Sequence, residues 1–250
     1  FRGFSLFLPK EREKYSETYD FQSPVLGVFL CFELYTEREL DLKWLRKIIS
    51  AVFKLRIKRK ELNDAFAKLR FITSIVLGAL TGLRPNSELP GLTWKIIGDF
   101  EKKNYFILPA EISKTPFKRV IPLSKEVRWL LKAFKEAWQK HKKKLQLKGE
   151  KLFPYKESRE VIDLLRKKGI DFTGEDLRDF ATTMASFNFK MGPLEAIVLG
   201  HNTDKWKLEL ESYIKKKPES IAEEYLSYWK EPILTSEQRK EVQKLINKLK

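Results

Sequence analysis

The sequence predicts an α+β fold, mainly α, with one small three-stranded antiparallel sheet. Two observations carry that prediction. From Asp41 apolar residues recur at three- and four-residue steps: Leu42, Leu45, Ile48, Ile49 and Val52, then Phe66, Leu69, Ile72, Ile75 and Val76. Between 92 and 124 the pattern changes to short β-prone runs broken by turn residues. A chain of 250 residues with 42% hydrophobic content is long enough to bury a sizeable core.

In chain order, residues 1 to 38 are aromatic-rich and irregular, with Pro9 and Pro24 as breaks and the charged run Lys10 to Lys14. They are expected to be an arm or the end of a missing domain, and Phe1 at the first position suggests a fragment or a processed chain. The helical period from Asp41 runs to Gly82, a natural helix stop because glycine adopts the left-handed C-terminal conformation at little cost. Trp94 to Ile97, Tyr105 to Leu108 and Arg119 to Leu123 are expected as the three strands of a meander. Gly98-Asp99 and Lys114-Thr115-Pro116 supply its turns, which puts Lys114 in the second. Val127, Leu130, Leu131, Phe134 and Trp138 mark a long amphipathic helix running into the basic segment Lys140 to Lys144. Shorter helices follow at about 158–168, 174–188, 192–200 and 219–229, and a last one, opened by Ser236, carries Val242, Leu245, Ile246 and Leu249.

The net charge is +16, from 50 Lys+Arg against 34 Asp+Glu. Such an excess makes a polyanion the expected partner, because neutralising phosphates releases condensed counterions. A lysine-rich solubilising surface of the kind found in heat-adapted proteins fits the same composition. The single cysteine, Cys31, has no partner within the chain, which favours an intracellular, cytoplasmic setting. No apolar stretch approaches membrane-spanning length and no signal peptide opens the chain.

Several residues could carry chemistry, and each also has a plainer role. Arg84 follows a helix stop, where an arginine can be a solvated loop charge. Lys114 can be a surface turn lysine. Arg178 lies in the first turns of a helix that Thr173 is expected to cap, where Glu175 and Asp176 suit the positive end of the dipole. His201, after Gly200, can be a helix C-terminal cap, and Tyr213 a core or rim aromatic.

Order and spacing join them. Thr81-Gly-Leu-Arg84 is followed by Ser87-Glu88-Leu89 and Leu92-Thr-Trp94; Ser113-Lys114-Thr115 leads to Arg119-Val-Ile-Pro122-Leu123; and Asp176-Leu-Arg178-Asp-Phe180-Ala-Thr182 is followed by Leu199-Gly-His201 and by Tyr213 with Pro218-Glu219. His201 stands 23 residues after Arg178. Over about residues 40 to 230 this set resembles the tyrosine recombinase (phage integrase) family. Tyr213 is preferred to Tyr225 and Tyr228 because Pro and Glu follow it at the fifth and sixth positions, as they often do after that family's nucleophile.

The resemblance implies an N-terminal arm or end of a core-binding domain at 1–38, a catalytic domain at 39–232, and a C-terminal helix at 233–250 that protomers can exchange. It implies a site-specific integrase of a mobile element, and the lysine-rich composition suggests a heat-adapted, archaeal host. The expected partners are a double-stranded DNA attachment site and further copies of the chain, from dimer to tetramer, on DNA. Its catalytic residues would be Arg84 and Arg178 as a phosphate clamp, Lys114 as the acid for the leaving oxygen, His201 as a phosphate donor or proton carrier, and Tyr213 as the nucleophile. Such a site uses no cofactor and no metal, and the sequence holds neither GxxxxGK[ST] nor HExxH. Glu175 is the sixth expected site residue, standing where the family generally has histidine; one extra residue separates Arg84 from Glu88, and the segment from His201 to Tyr213 is a few residues longer than typical. A type IB topoisomerase, or a DNA-binding relative without catalysis, shares parts of this pattern.

Overall fold

The computed structural model describes residues 39–58, 60–113, 118–147, 150–200 and 215–250. Helix α1, Leu42–Lys54, is opened by the Asp41 carboxylate, which accepts from Trp44 N at 2.7 Å, and buries Leu45, Ile48, Ile49 and Val52. Helix α2, Glu61–Thr81, is buried on every side from Ala65 to Thr81. It is the axis of the domain, since a helix apolar all round must be enclosed by neighbours. Two buried charges lie on it: Lys68 pairs with Asp64 at 2.8 Å, and Arg70 is ion-paired with Glu157 and lies over the rings of Phe66 and Trp138, at 4.8 and 5.4 Å from their centroids. Truncating a fully buried residue here, Ile72 for example, is expected to cost about 2–5 kcal/mol.

Two one-turn helices follow, α3 at Glu88–Gly91 and α4 at Trp94–Ile97. Strand β1, Tyr105–Leu108, then pairs antiparallel with β2, Arg119–Pro122, with Tyr105 opposite Pro122 and Leu108 opposite Arg119. Among the described residues the sheet therefore has two strands, not the three expected. The run Trp94 to Ile97 is helical because Thr93 Oγ1 accepts from Ile96 N at 3.3 Å, an N-cap that outweighs the β propensity of two isoleucines. Trp94 then packs with Phe100, Phe134 and Trp138.

Helix α5, Lys125–His141, is capped by Ser124 and contributes Val127, Leu130, Leu131, Phe134 and Trp138 to the core. Beyond it come α6, Tyr155–Lys167, and α7, Glu175–Thr183, which runs directly into a π turn at Met184–Asn188. Helix α8 is Pro193–Leu199 and α9 is Pro218–Tyr228. The last helix, α10, Ser236–Leu249, begins with a reciprocal capping box between Thr235 and Gln238.

Around α2 pack α1, α5, α7 and α10. The tail expected as a separate region at 233–250 belongs to the same compact unit, Leu40–Lys250. It buries Val242, Leu245, Ile246 and Leu249, and the Gln238 amide donates to Arg46 O at 2.7 Å and to Ser50 Oγ at 2.8 Å. At the other end of α10, His141 Nε2 bonds Leu249 O at 2.7 Å. No described helix is long and apolar enough to cross a membrane.

Candidate functional site

The segment Thr81-Gly-Leu-Arg84 ends the central helix, and each of its residues has a local reason. Thr81 is buried and returns its hydroxyl to Leu77 O at 2.7 Å. Gly82 takes the left-handed conformation, φ 61°, and a Cβ there would stand 2.7 Å from Leu199 Cδ2, so both backbone and space require glycine. Leu83 is fully buried and pins the loop. Arg84 emerges beside it with its side chain 30% exposed. No described residue accepts a hydrogen bond from its buried Nε.

Arg178 is carried to the same place by α7. Its helix starts with a reciprocal turn in which Thr173 Oγ1 accepts from Asp176 N at 3.3 Å and Asp176 Oδ2 accepts from Thr173 N at 2.7 Å. Thr173 thus plays the capping role expected of it, although Gly174 is the residue at the N-cap position. Arg178 Nη1 donates to Gly82 O at 2.7 Å, tying the second arginine to the glycine that precedes the first by two residues. Burial, with the charges of Arg84 and Arg119 added, pulls the Arg178 pKa down to about 10, against smaller opposing effects of Glu88 and Glu175. Three guanidiniums therefore repel one another here around one buried carboxylate. Such an excess of positive charge favours an anion.

The buried carboxylate is Glu88, fully enclosed at the start of α3. Its two oxygens accept from Arg119 Nη1 at 2.7 and 2.8 Å, and Oε2 also accepts from Arg84 N at 2.9 Å. Arg119, only 3% exposed, extends Nε and Nη2 to Val198 O at 3.1 and 2.7 Å. A cation there meets the carbonyl end of α8, where the helix dipole favours it. Burial holds the Arg119 pKa below its ordinary value, with Glu88 acting in the opposite direction. Gly200 closes α8 at φ 66°, and a Cβ on it would lie 2.9 Å from Arg119 Cδ. One ion pair thus joins the Arg84 loop, the second strand and the end of the helix that leads to His201.

Neither Glu88 nor Arg119 stood among the expected site residues. A signal was present: Arg119 opens a strand in which every residue is buried, and a charge in that position needs an opposite partner. Ser87 occupies the N-cap position of α3 without a capping bond from its hydroxyl. The Glu88 carboxylate serves the loop amide of Arg84 instead.

Of the six expected site residues, the structure brings Arg84, Arg178 and Glu175 together. Glu175 is the first residue of α7 and is exposed, and its Oε1 accepts from Asn86 Nδ2 at 2.7 Å. Lys114, in the connection between β1 and β2, and His201 and Tyr213, in the stretch 201–214, lie outside the described residues. The other tyrosines weighed for the nucleophile are described. Tyr225 is fully buried, donates to Leu80 O at 2.6 Å, and has its hydroxyl pKa pushed well above the ordinary value by burial. An enclosed phenol of that kind can neither reach a phosphate nor ionise readily. Tyr228 is half-buried, with its ring 6.2 Å from that of Phe189. Among the described residues no group of three or more His, Cys, Asp or Glu side chains is placed to hold a metal. Comparison of the chain with protein-family models, with curated proteins and with solved structures gives no match.

Proposed function

We propose that the chain is the catalytic domain of a site-specific DNA recombinase, an integrase that cleaves and rejoins DNA through a 3′-phosphotyrosine. The observation that carries this reading is the pairing of Arg84 with Arg178. Arg178 is bonded to Gly82 O, two residues before Arg84; among the described residues neither cation is in a bidentate ion pair, and both are crowded by a third cation. Two guanidinium forks so placed suit the non-bridging oxygens of a phosphodiester, and their mutual repulsion falls when that anion binds.

In this reaction the Tyr213 oxygen attacks phosphorus, the new O–P bond replaces the bond to the 5′ oxygen, and the leaving oxygen takes a proton from Lys114. The tyrosine proton is lost to a base or to solvent within the cationic pocket. His201 hydrogen-bonds the phosphate. The phosphotyrosine ester keeps the energy of the broken bond, so attack by a 5′ hydroxyl reverses each step and rejoins the strand. Double-stranded DNA carrying an attachment site is the substrate, and further copies of the chain assemble on it to exchange strands. The exposed Lys140, Lys142, Lys143 and Lys144 at the end of α5 supply sequence-independent attraction to the backbone.

Glu175 favours a second reading, a DNA-binding relative without catalysis, because a carboxylate stands where a proton-bearing or basic residue is expected. One experiment separates the two. Incubated with nicked duplexes bearing randomised sites, a recombinase accumulates a covalent protein–DNA adduct that survives denaturation. A binding module retains DNA only under native conditions.

A further inference from the structure

The interval from Arg84 to Glu88 holds Pro85, Asn86 and Ser87, one residue more than the resemblance leads one to expect, and Asn86 within it meets Glu175. The lengthened interval and Glu175 therefore lie in segments that touch. Around them residues 82–86 and 174–178 run side by side and are joined at three points. Arg178 Nη1 donates to Gly82 O at 2.7 Å. Pro85 lies so close to Gly174 that a Cβ there would stand 2.6 Å from Pro85 Cβ. Asn86 Nδ2 donates to Glu175 Oε1 at 2.7 Å. Asn86 and Glu175 also stand on the wall of a cavity of about 280 Å³ whose floor includes Phe71, Ile75 and Phe172, so tight packing does not fix the loop from that side.

We propose that Asn86 and Glu175 are a pair of positioning residues, a clasp that holds the Arg84 loop against the Arg178 helix and sets the spacing of the two arginines. The inference rests on the reading of Arg84 and Arg178 as a phosphate clamp. It gives Glu175 a task that suits a carboxylate: accepting the Asn86 amide at the start of α7, where the helix dipole stabilises a negative charge. The Glu175 charge is thereby engaged by the loop. An exposed hydrogen bond adds little to global stability, so the clasp acts on geometry and on the rate of the reaction.

The test exchanges donor and acceptor. Asn86→Asp sets two carboxylates against each other, whereas Asn86→Asp combined with Glu175→Gln restores one hydrogen bond in the opposite direction with the wild-type net charge. In single-turnover adduct formation on nicked DNA, Asn86→Asp is expected to slow cleavage by about 10-fold or more, since small misplacements of reacting groups are costly. The double variant is expected to return to within about 3-fold of wild type, and Tm to move by no more than about 3 °C in either protein. A double variant as slow as Asn86→Asp, or an Asn86→Asp protein as fast as wild type, overturns the clasp. If the wild-type protein forms no adduct, the recombinase reading fails by itself. The clasp is then read from the Nε–H NMR resonances of Arg84 and Arg178: displacement of both in Asn86→Asp and return in the double variant uphold it, and unchanged or unrestored resonances reject it.

Discussion

Glu88→Gln is the sharpest perturbation of the scaffold, because it removes one charge and almost no volume. The carboxylate accepts three hydrogen bonds, two from Arg119 and one from the Arg84 amide, and it is fully buried opposite an arginine that is 3% exposed. Glutamine keeps one acceptor oxygen but aims an amide donor at groups that are themselves donors, and it leaves the Arg119 guanidinium enclosed without a counter-charge. Breaking a buried pair from one side costs about 3–5 kcal/mol, a large share of the roughly 5–15 kcal/mol that holds a domain together. For a unit of this size each kcal/mol moves Tm by about 2–4 °C, so calorimetry should record a fall of about 6–20 °C. The pair should also couple: Glu88→Gln together with Arg119→Leu removes both charges and should lose much less than the two single variants added. A fall in Tm below about 2 °C for Glu88→Gln, or strict additivity in the double variant, would refute the claim that this pair joins the Arg84 loop to the end of α8.

Other expectations follow from the same geometry. Tyr225→Phe leaves Leu80 O without its donor and should lower stability by about 1–3 kcal/mol while adduct formation continues, whereas Tyr213→Phe should end adduct formation with DNA binding retained. Removing residues from Ser236 onward exposes the faces of α1 and α2 that α10 covers, and calorimetry should show a large drop in Tm or loss of the cooperative transition; an unchanged Tm would show that the helix is dispensable to its own core. The lowered Arg178 pKa means that its charge is full well below about pH 10 and is lost as pH rises through that value. The advantage of wild type over Arg178→Gln in phosphate affinity, measured by titration calorimetry, should therefore shrink toward one above pH 10, and a constant ratio up to pH 11 would contradict it.

Helix periodicity was legible in the sequence because helical packing is local. Leu45, Ile48, Ile49 and Val52 share one face within a few turns, and Gly82 ends α2 where its left-handed preference predicts. The run Trp94 to Ile97 was misread because four residues, three of them apolar, suit a strand or a single turn equally well, and Thr93 decided between them. Arg84 and Arg178 could be singled out from their blocks, but not the bond from Arg178 to Gly82 O, which spans 96 residues. Glu88 and Arg119 stand 31 residues apart, and only the tertiary fold shows that the charge opening a buried strand is met by the charge opening a one-turn helix. The contact of Asn86 with Glu175 was hidden for the same reason, and it joins the lengthened segment 84–88 to Glu175, which are far apart along the chain.

The central claim concerns one covalent bond, and its most direct test is to locate that bond. Protein trapped on nicked DNA is digested with protease and nuclease, and the nucleotide-bearing peptide is sequenced by mass spectrometry. The account predicts a phosphodiester remnant on Tyr213 and its absence from the Arg84→Ala and Arg178→Ala proteins. A remnant on Tyr228 or another residue, or no remnant under conditions in which the protein is saturated with DNA, would contradict it.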